Sequence, residues 1–156
     1  MPDRLYIVVP CYQEQDALPE TARRLREKVR DLADRGVVSD DSRILFVNDG
    51  SADGTWKIIR ALHEQDPVFC GVSLTRNRGH QNALLAGLMT AKDRADMIIS
   101  MDADLQDDVG AVDEMIARYY GGCDVVYGVR SSRKKDTFFK LFTAEGFYRA
   151  MQFLGA

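Results

Sequence analysis

The sequence predicts an α/β fold in which helices cover both faces of a mainly parallel β-sheet. Short apolar runs rich in β-branched residues alternate along the chain with longer segments that repeat apolar residues every three or four positions. The connections are short, and right-handed crossovers then place successive strands parallel in one sheet. Polar clusters follow the predicted strands, and ligands of such sheets bind beyond the carboxyl ends of the strands. We therefore expect these clusters to converge on one rim of the sheet.

The length and composition are those of a globular domain. The chain has 156 residues, of which 46% are hydrophobic and 29% charged, with a net charge of −3. This excludes a disordered chain, which would be poorer in apolar residues, and a strongly basic nucleic-acid binder. No run of about 18 apolar residues predicts a membrane span, and the first residues lack the features of a signal peptide. The widely spaced cysteines, Cys11, Cys70 and Cys123, predict free thiols in a cytoplasmic protein.

The first part of the chain predicts two strands and two helices. Residues 5–9 form an apolar run dense in β-branched side chains and bounded by Pro10, which predicts a buried strand. A helix ended by Gly36 follows, with one apolar stripe made of Leu18, Ala22, Leu25, Val29 and Leu32. Residues 43–47 predict the second strand. The polar turn at 48–55 opens a second helix, which carries Trp56, Ile59 and Leu62.

The rest of the chain predicts three strands and two helices. In order, they are a strand at 68–74, a helix from about Gln81 to Lys92, a strand at 97–101, a helix at 112–120 and a strand at 124–127. Gly71 interrupts the first of these strands and makes it the least regular. The helix that follows it is rich in small residues, which suits close packing on a sheet.

Two carboxylates one residue apart follow the fourth predicted strand. Asp102 and Asp104, with Gln106 and two further aspartates close behind, offer hard oxygen ligands at the end of a strand. Such ligands suit Mg²⁺ or Mn²⁺ and leave coordination positions for phosphate oxygens. A solvated acidic loop or a helix N-cap has the same composition. The pattern alone leaves both interpretations open.

A polar turn with two glycines, residues 48–55, follows the second strand. Asp49, at the end of that strand, is placed to accept hydrogen bonds from a nucleobase or a ribose. An ordinary turn in which Asp53 or Thr55 caps the next helix explains these residues equally well. The turn matches neither of the glycine-rich phosphate-binding patterns, G-x-G-x-x-G and G-x-x-x-x-G-K-[ST].

Aromatic and basic groups follow the first and third strands. Tyr12 is placed to pack on a base and Glu14 to accept a hydrogen bond from it, although a plain strand-end loop would look the same. Residues 76–81 bring cations and hydrogen-bond donors to the same rim. There His80 has two interpretations, contact with a phosphate or sugar and capping of the following helix.

The C-terminal part is basic and aromatic. Residues 130–149 hold six Lys or Arg against two acidic residues, a balance of +4, so the remainder carries −7. This asymmetry predicts an anionic partner, either a pyrophosphate or a lipid head group, with a solvated loop as the alternative. The aromatic residues of this part are Phe138, Phe139, Phe142, Phe147, Tyr148 and Phe153. An amphipathic helix of this kind lies on a membrane surface or faces a core or an oligomer partner.

Five segments together resemble family 2 glycosyltransferases with a GT-A fold. They span residues 9–14, 47–55, 74–88, 101–108 and 126–133, in the order and at the spacing typical of that family. The similarity is greatest to the polyprenyl-phosphate branch, the bactoprenol glucosyltransferases and dolichol-phosphate mannose synthases. Each segment is weak evidence by itself. The Gly-His-Gln segment at 79–81 and the Asp-Leu-Gln-Asp segment at 104–107 favour the lipid-phosphate branch.

The resemblance implies a reaction, a cofactor and partners. A hexose would pass with inversion from a UDP- or GDP-sugar to polyprenyl phosphate, with Mg²⁺ or Mn²⁺ as cofactor. Residues 1–136 would form the nucleotide-sugar-binding core, and residues 137–156 a basic, aromatic amphipathic helix that begins the acceptor-side half. The chain would be cytoplasmic and peripheral at the inner face of the cell membrane, and the full-length form membrane-anchored. The sequence leaves self-association open.

The resemblance also implies the residues of the site. The donor-binding positions would be Pro10, Tyr12, Glu14, Asp49, Asp102, Ala103 and Arg130. Asp102 would face the ribose or the diphosphate, and Arg130 a phosphate. Asp104 would ligate the metal with the assistance of Gln106. The sequence has Gln13 where the family usually has Asn, and Val109 where it often has Pro.

The larger departure from the family is length. Family members continue past the position of Ala156, where an acidic residue proposed as the catalytic base lies. We therefore expect a truncated chain that binds the donor, and we assign no catalytic base within it. Two other functions stay open at this point. One is a non-catalytic nucleotide-sugar-binding fragment, and the other is a receiver-like signalling domain on a doubly wound sheet.

Overall fold

The computed structural model describes residues 2–104 and 108–128 of the chain. The chain divides into two compact units, Met1–Glu114 and Met115–Ala156. The first unit contains the whole sheet. The predicted helix at 137–156 lies outside the described residues, so the expected division between 136 and 137 stays a prediction. No helix within the described part of the chain is long and apolar enough to cross a membrane.

A four-stranded parallel sheet forms the centre of the first unit. Its strands, in spatial order β3-β2-β1-β4, are β1 (Leu5–Cys11), β2 (Arg43–Asn48), β3 (Phe69–Ser73) and β4 (Met97–Ser100). Every residue of the central strand β1 is buried. A strand covered on both faces needs a continuous apolar run rather than an alternating one. β1 has such a continuous run.

The strand order excludes the receiver alternative. Receiver domains have the order 2-1-3-4-5, whereas β2 here separates β3 from β1, and β4 lies on the far side of β1. This is the beginning of the 3-2-1-4 order of nucleotide-binding sheets. The order reverses between β1 and β4, and in such sheets ligands bind at this point, beyond the carboxyl ends of the strands.

Pro10 lies within the central strand without disrupting it. Val8 accepts a hydrogen bond from Met101 N–H (3.0 Å), so the even-numbered residues of β1 direct their backbone groups toward β4. The pairing of β1 with β4 ends at Val8 and Ser100, before Pro10 is reached. The missing N–H of Pro10 therefore removes no hydrogen bond from the sheet.

Helices cover both faces of the sheet. α1 (Leu18–Asp34) and α2 (Thr55–Gln65) pack on one face and α3 (His80–Ala91) on the other. All five predicted stripe residues of α1 are buried, and Gly36 follows the helix with φ +67°. A fourth helix, α4 (Ala111–Tyr120), spans the boundary between the two units. Within the first unit, its Asp113 accepts hydrogen bonds from Lys28 (2.6 Å) and Arg35 (2.7 Å).

Two glycines allow the helices to approach the sheet closely. A Cβ atom at Gly87 of α3 would lie 2.4 Å from Cγ1 of Val8 and 2.8 Å from Cγ2 of Val47. On the other face, a Cβ atom at Gly71 of β3 would lie 2.5 Å from Cγ2 of Ile59 in α2. Gly71 therefore makes room for α2 instead of interrupting β3.

The predicted strand at 124–127 is wrong. Residues 124–128 have no regular secondary structure, and Val125 and Tyr127 are 67% and 84% exposed. A strand needs a hydrogen-bonded neighbour and a face that buries its side chains, and the short segment Asp-Val-Val-Tyr at 124–127 specifies neither. The other strands and helices that were predicted within the described residues are confirmed, with bounds within two residues wherever a range was predicted.

Replacement of Gly87 by alanine is expected to destabilise the protein. The gain in helix propensity is about 1 kcal/mol, but overpacking against two stiff β-branched side chains costs about 1–3 kcal/mol. We expect a net loss of roughly 1 kcal/mol in the free energy of unfolding, measured by urea denaturation. Met89→Ala, at an exposed position of the same helix, is the control and should change it by less than about 0.5 kcal/mol. An unchanged or raised stability of Gly87→Ala would show that the contact is not tight.

Candidate active site

The loops after β1 and β2 are joined by side chains that bond backbone amides. Gln13 N–H donates to Ser51 Oγ (3.0 Å), and Glu14 N–H to Thr55 Oγ1 (3.0 Å). In the opposite direction, Gly54 N–H donates to the side-chain oxygen of Gln15 (2.8 Å). These bonds fix the conformation of the loop that carries Tyr12 and Glu14.

The loop between β3 and α3, residues 74–79, is attached to the end of β2. Leu74 N–H donates to the carbonyl oxygen of Asn48 (2.9 Å). The carboxylate of Asp49 accepts hydrogen bonds from the backbone of Arg78 (2.7 Å) and Gly79 (2.9 Å). Asp49 itself is only 2% exposed. The predicted site residue Asp49 therefore lies beneath this loop.

The two aspartates after β4 are positioned by α1. The hydroxyl of Thr21, buried in α1, donates to the carbonyl oxygen of Ala103 (2.7 Å). Ala103 is buried by this contact, whereas Asp102 and Asp104 on either side of it are exposed. This alternation directs both carboxylates away from the core.

Carboxylates from three of the four loops lie close enough to influence one another. Partial burial raises the pKa of Glu14 above its ordinary value, and the negative charges of Asp104, Asp53 and Asp102 raise it further. Across the same rim, His80 Nε2 lies 3.8 Å from Asp102 Oδ1. The predicted convergence of the four strand-end loops is thus what the structure shows.

The chemistry of this cluster fits a divalent cation in part. Oxygen ligands are what Mg²⁺ and Mn²⁺ prefer, and the mutual repulsion at Glu14 is what a cation would relieve. Among residues 2–104 and 108–128, however, no three side chains of His, Cys, Asp or Glu are arranged to hold a metal ion. One or two carboxylates suffice for a cation that also binds water and phosphate oxygens, as Mg²⁺ commonly does.

The remaining predicted site residues have different positions. Tyr12 is 46% exposed, so its ring is available to a ligand, while Pro10 is buried in β1. Gln106 and Arg130 lie outside the described residues. His80 is the first residue of α3, and Gly79 with φ +86° occupies the N-cap position, so the interpretation of His80 as the cap is wrong.

Sequence reasoning missed the residues that position the loops. Thr21, Gln15 and Ser51 had no predicted role, yet each bonds the backbone of another loop. Ser51 carried a signal, because serine in a polar turn commonly accepts from nearby amides. The contact of Thr21 with Ala103 spans 82 residues of sequence and left no local signal.

The family model described as Glycosyl transferase family 2 matches residues 6–154 of the chain. The chain belongs to glycosyl transferase family 2. The matched range includes all four strands of the sheet except Leu5, the first residue of β1. It also includes all four loops of the rim.

Similar proteins from bacteria are named as glycosyltransferases. The uncharacterized glycosyltransferase YkoT of Bacillus subtilis is 51% identical over 97% of this chain and 45% of its own length. The prophage bactoprenol glucosyl transferase homolog of Escherichia coli is 38% identical over 94% of this chain and 45% of its own length. The chain therefore spans less than half the length of the curated relatives it matches.

Solved structures of other proteins have the same fold. The mannosyltransferase PcManGT from Pyrobaculum calidifontis, in complex with GDP-Man and Mn²⁺, superposes with a TM-score of 0.55 at 25% identity, over 67% of this chain and 28% of its own. Staphylococcus aureus TarS 1-349 gives a TM-score of 0.59 at 17% identity, over 86% of this chain and 40% of its own. The predicted GT-A fold is confirmed for this family 2 chain.

Gln13 is the one described residue other than glycine with a positive φ, +56°. Asparagine tolerates this left-handed conformation better than glutamine. Gln13→Asn is therefore expected to raise the free energy of unfolding by roughly 0.5 kcal/mol in thermal or urea denaturation. Gln15→Asn, two residues away, should instead lose the contact with Gly54 N–H and lower it by about 1 kcal/mol. A shift in the same direction for both variants would contradict this account.

Neutralising Glu14 should have a pH-dependent effect on stability. Because the pKa of Glu14 is raised in the folded protein, its charged form opposes folding, and this penalty appears as the pH rises above the ordinary value of 4.5. Glu14→Gln should therefore be more stable than the wild type at pH 7, by only roughly 0.5 kcal/mol because Glu14 is partly buried and water still screens its charge. Below pH 4.5 the two proteins should unfold at the same urea concentration. A difference that does not vary with pH would contradict the repulsion.

Proposed function

We propose that this chain forms the donor-binding part of a glycosyltransferase that transfers a hexose from a UDP- or GDP-sugar to polyprenyl phosphate, with inversion. The observation that carries this proposal is the proximity of Glu14, which follows β1, to Asp102 and Asp104, which follow β4, at the carboxyl edge of the sheet. The names of relatives as bactoprenol glucosyl transferases support the lipid-phosphate acceptor.

The exposed groups of the rim suit the parts of a nucleotide sugar. The accessible ring of Tyr12 offers a stacking surface to the base, and Glu14 offers an acceptor to the base or ribose. Asp102 faces the ribose or diphosphate from the opposite side of the crevice, and Ala103 approaches the donor through its backbone. Pro10 closes the floor of the nucleoside pocket from within β1. Arg130 binds a phosphate.

Asp104, assisted by Gln106, would hold Mg²⁺ or Mn²⁺. When bound, such an ion neutralises charge that develops on the departing diphosphate. The structure of the related mannosyltransferase contains both GDP-Man and Mn²⁺, which supports this assignment. The electrostatics of the rim support it as well, because a diphosphate alone would add negative charge beside Glu14, Asp102 and Asp104.

The acceptor chemistry makes modest demands on proton transfer. A phosphate oxygen is already anionic at neutral pH, so its attack on the anomeric carbon depends more on orientation than on a strong base. The basic, aromatic segment after residue 129 would bring the protein to the membrane surface where a polyprenyl phosphate is found. This part of the proposal concerns residues outside the described ranges.

Removal of the Asp104 carboxylate should abolish cation-dependent binding of the nucleotide. We expect isothermal titration with UDP and with GDP to show binding by the wild type that requires Mn²⁺, and affinity at least about tenfold weaker in Asp104→Ala. Asp93→Ala is the matched control, because Asp93 is an exposed aspartate beyond the end of α3. It should leave the affinity unchanged. Binding that needs no metal and survives Asp104→Ala would refute the site assignment.

A further inference from the structure

Thr21 lies on the face of α1 that contacts the chain beyond β4. The residue is 1% exposed, and its hydroxyl oxygen lies 2.7 Å from the carbonyl oxygen of Ala103 and 3.1 Å from that of Ala17. A hydroxyl has one proton to donate, so the shorter contact makes Ala103 its main acceptor. Threonine inside a helix commonly donates to the carbonyl four residues earlier, which here is that of Ala17. The contact with Ala103 is therefore an additional one, made to another part of the chain.

The carbonyl that Thr21 binds lies between the two exposed aspartates of the rim. Ala103 is 4% exposed, whereas Asp102 and Asp104 are exposed. A buried carbonyl oxygen needs a donor, and the Thr21 hydroxyl supplies one. Without it, the carbonyl would either pay the full cost of desolvation or turn toward water. Rotation of the peptide group between Ala103 and Asp104 would carry the Asp104 carboxylate with it.

α1 connects this carbonyl to the loop that carries Glu14. Leu18 N–H, at the start of α1, donates to the carbonyl oxygen of Glu14 (2.9 Å), and Thr21 lies nearly one turn further along the helix. The first turn of α1 therefore sets the separation between Glu14 and the two aspartates of the rim. The charges of those aspartates contribute to the raised pKa of Glu14, which agrees with this short separation.

A second contact of α1 with the chain after β4 lies two turns further on. Lys28 is seven residues after Thr21, and side chains at this spacing face nearly the same direction. Lys28 donates to the carboxylate of Asp113 (2.6 Å), as does Arg35 (2.7 Å), and the start of α4 is thereby held against α1. Thr21 differs from these ion pairs because it holds the backbone directly beside the rim carboxylates.

We infer that Thr21 is a positioning residue for cation binding, whose hydroxyl holds the backbone between Asp102 and Asp104 so that both carboxylates lie together at the rim. Thr21 itself is buried and touches neither the cation nor the nucleotide. This inference rests on the proposed function for its consequence, because the cation is part of that proposal. For its mechanism it rests on the hydrogen bond alone.

The first test follows the carbonyl carbon of Ala103 by NMR in the isotopically labelled full chain, without nucleotide or metal. A carbonyl carbon that loses a hydrogen bond becomes more shielded, so we expect its resonance to move upfield in Thr21→Val. Thr21→Ser keeps the hydroxyl and should keep the resonance in its wild-type position. An Ala103 resonance that does not respond to Thr21→Val would overturn the inference.

Thr90→Val is the matched control for the loss of a helix hydroxyl. The hydroxyl of Thr90 donates to the carbonyl oxygen of Ala86 within α3 (2.7 Å), which is the same local bond that Thr21 makes with Ala17. Thr90→Val should therefore leave the Ala103 resonance unchanged. A shift of equal size in both valine variants would show a general loosening of the fold and overturn the inference.

The second test measures the Mn²⁺ concentration that gives half-maximal binding of UDP and of GDP, by isothermal titration at a temperature where each variant is folded. Loss of a group that supports a metal ligand commonly costs about ten- to a hundredfold in metal affinity. We expect this concentration to rise roughly tenfold in Thr21→Val. Thr21→Ser and Thr90→Val should both keep the wild-type value. An unchanged Mn²⁺ requirement in Thr21→Val, or an increase of equal size in Thr21→Ser, would overturn the inference.

Thr21→Ala replaces Thr21→Val in the second test if the valine variant does not fold. The smaller side chain leaves room for a water molecule at the Ala103 carbonyl, which avoids the full cost of desolvation. Because a water holds the backbone less firmly than a buried side chain, we again expect a Mn²⁺ requirement raised about tenfold. A wild-type requirement in Thr21→Ala would overturn the inference.

The two tests distinguish failure of the inference from failure of the proposed function. If neither nucleotide binds the wild type at any Mn²⁺ concentration, the proposed function fails. The Ala103 resonance, which is measured without ligand, then decides alone whether Thr21 holds this part of the backbone.

Discussion

The pairing of β1 with a parallel neighbour on each side is the constraint on which the rest of the structure depends. Its register aligns Cys11 with Asn48 and Val8 with Ser100, so the chain leaves β1, β2 and β4 at the same edge. Gly87 packs between Val8 and Val47, and a slip of one residue in either strand would turn a different side chain toward α3. Core packing therefore determines where the acidic loops meet, against their mutual repulsion.

That repulsion is tolerated because the carboxylates are hydrated. Asp102 and Asp104 are exposed, and exposed charges interact weakly through water. Glu14 is partly buried, and the negative charges around it raise its pKa further. The nucleoside diphosphate that we propose as the ligand would displace this water and add charge of the same sign. An accompanying cation would offset that charge, and the basic groups on the 74–79 loop would offset it further.

The sequence predicted the elements whose signals are local. The stripe of α1, the buried run of β1 and the small residues of α3 each describe contacts within one element, and all three are confirmed. The convergence of the loops was predictable as well, because parallel strands share an edge. The error at 124–127 has the opposite origin, since strand formation depends on a neighbouring strand, which the three residues after Asp124 do not specify. The hydrogen bond between Thr21 and Ala103 likewise could not be predicted from the sequence, because the two residues are 82 positions apart.

The polar side chains near the rim form two groups, those that accept hydrogen bonds from loop amides and those that are exposed. Every loop at the rim has backbone amides that need acceptors, and buried amides cannot be left without them. Ser51 and Thr55 serve the loop after β1, and Asp49 serves the loop after β3. Side chains of the polar segment 48–55 therefore accept hydrogen bonds from the backbone of neighbouring loops. The exposed side chains of the rim belong to loops whose backbone is held by these hydrogen bonds. The positions of those side chains are therefore fixed before a ligand binds.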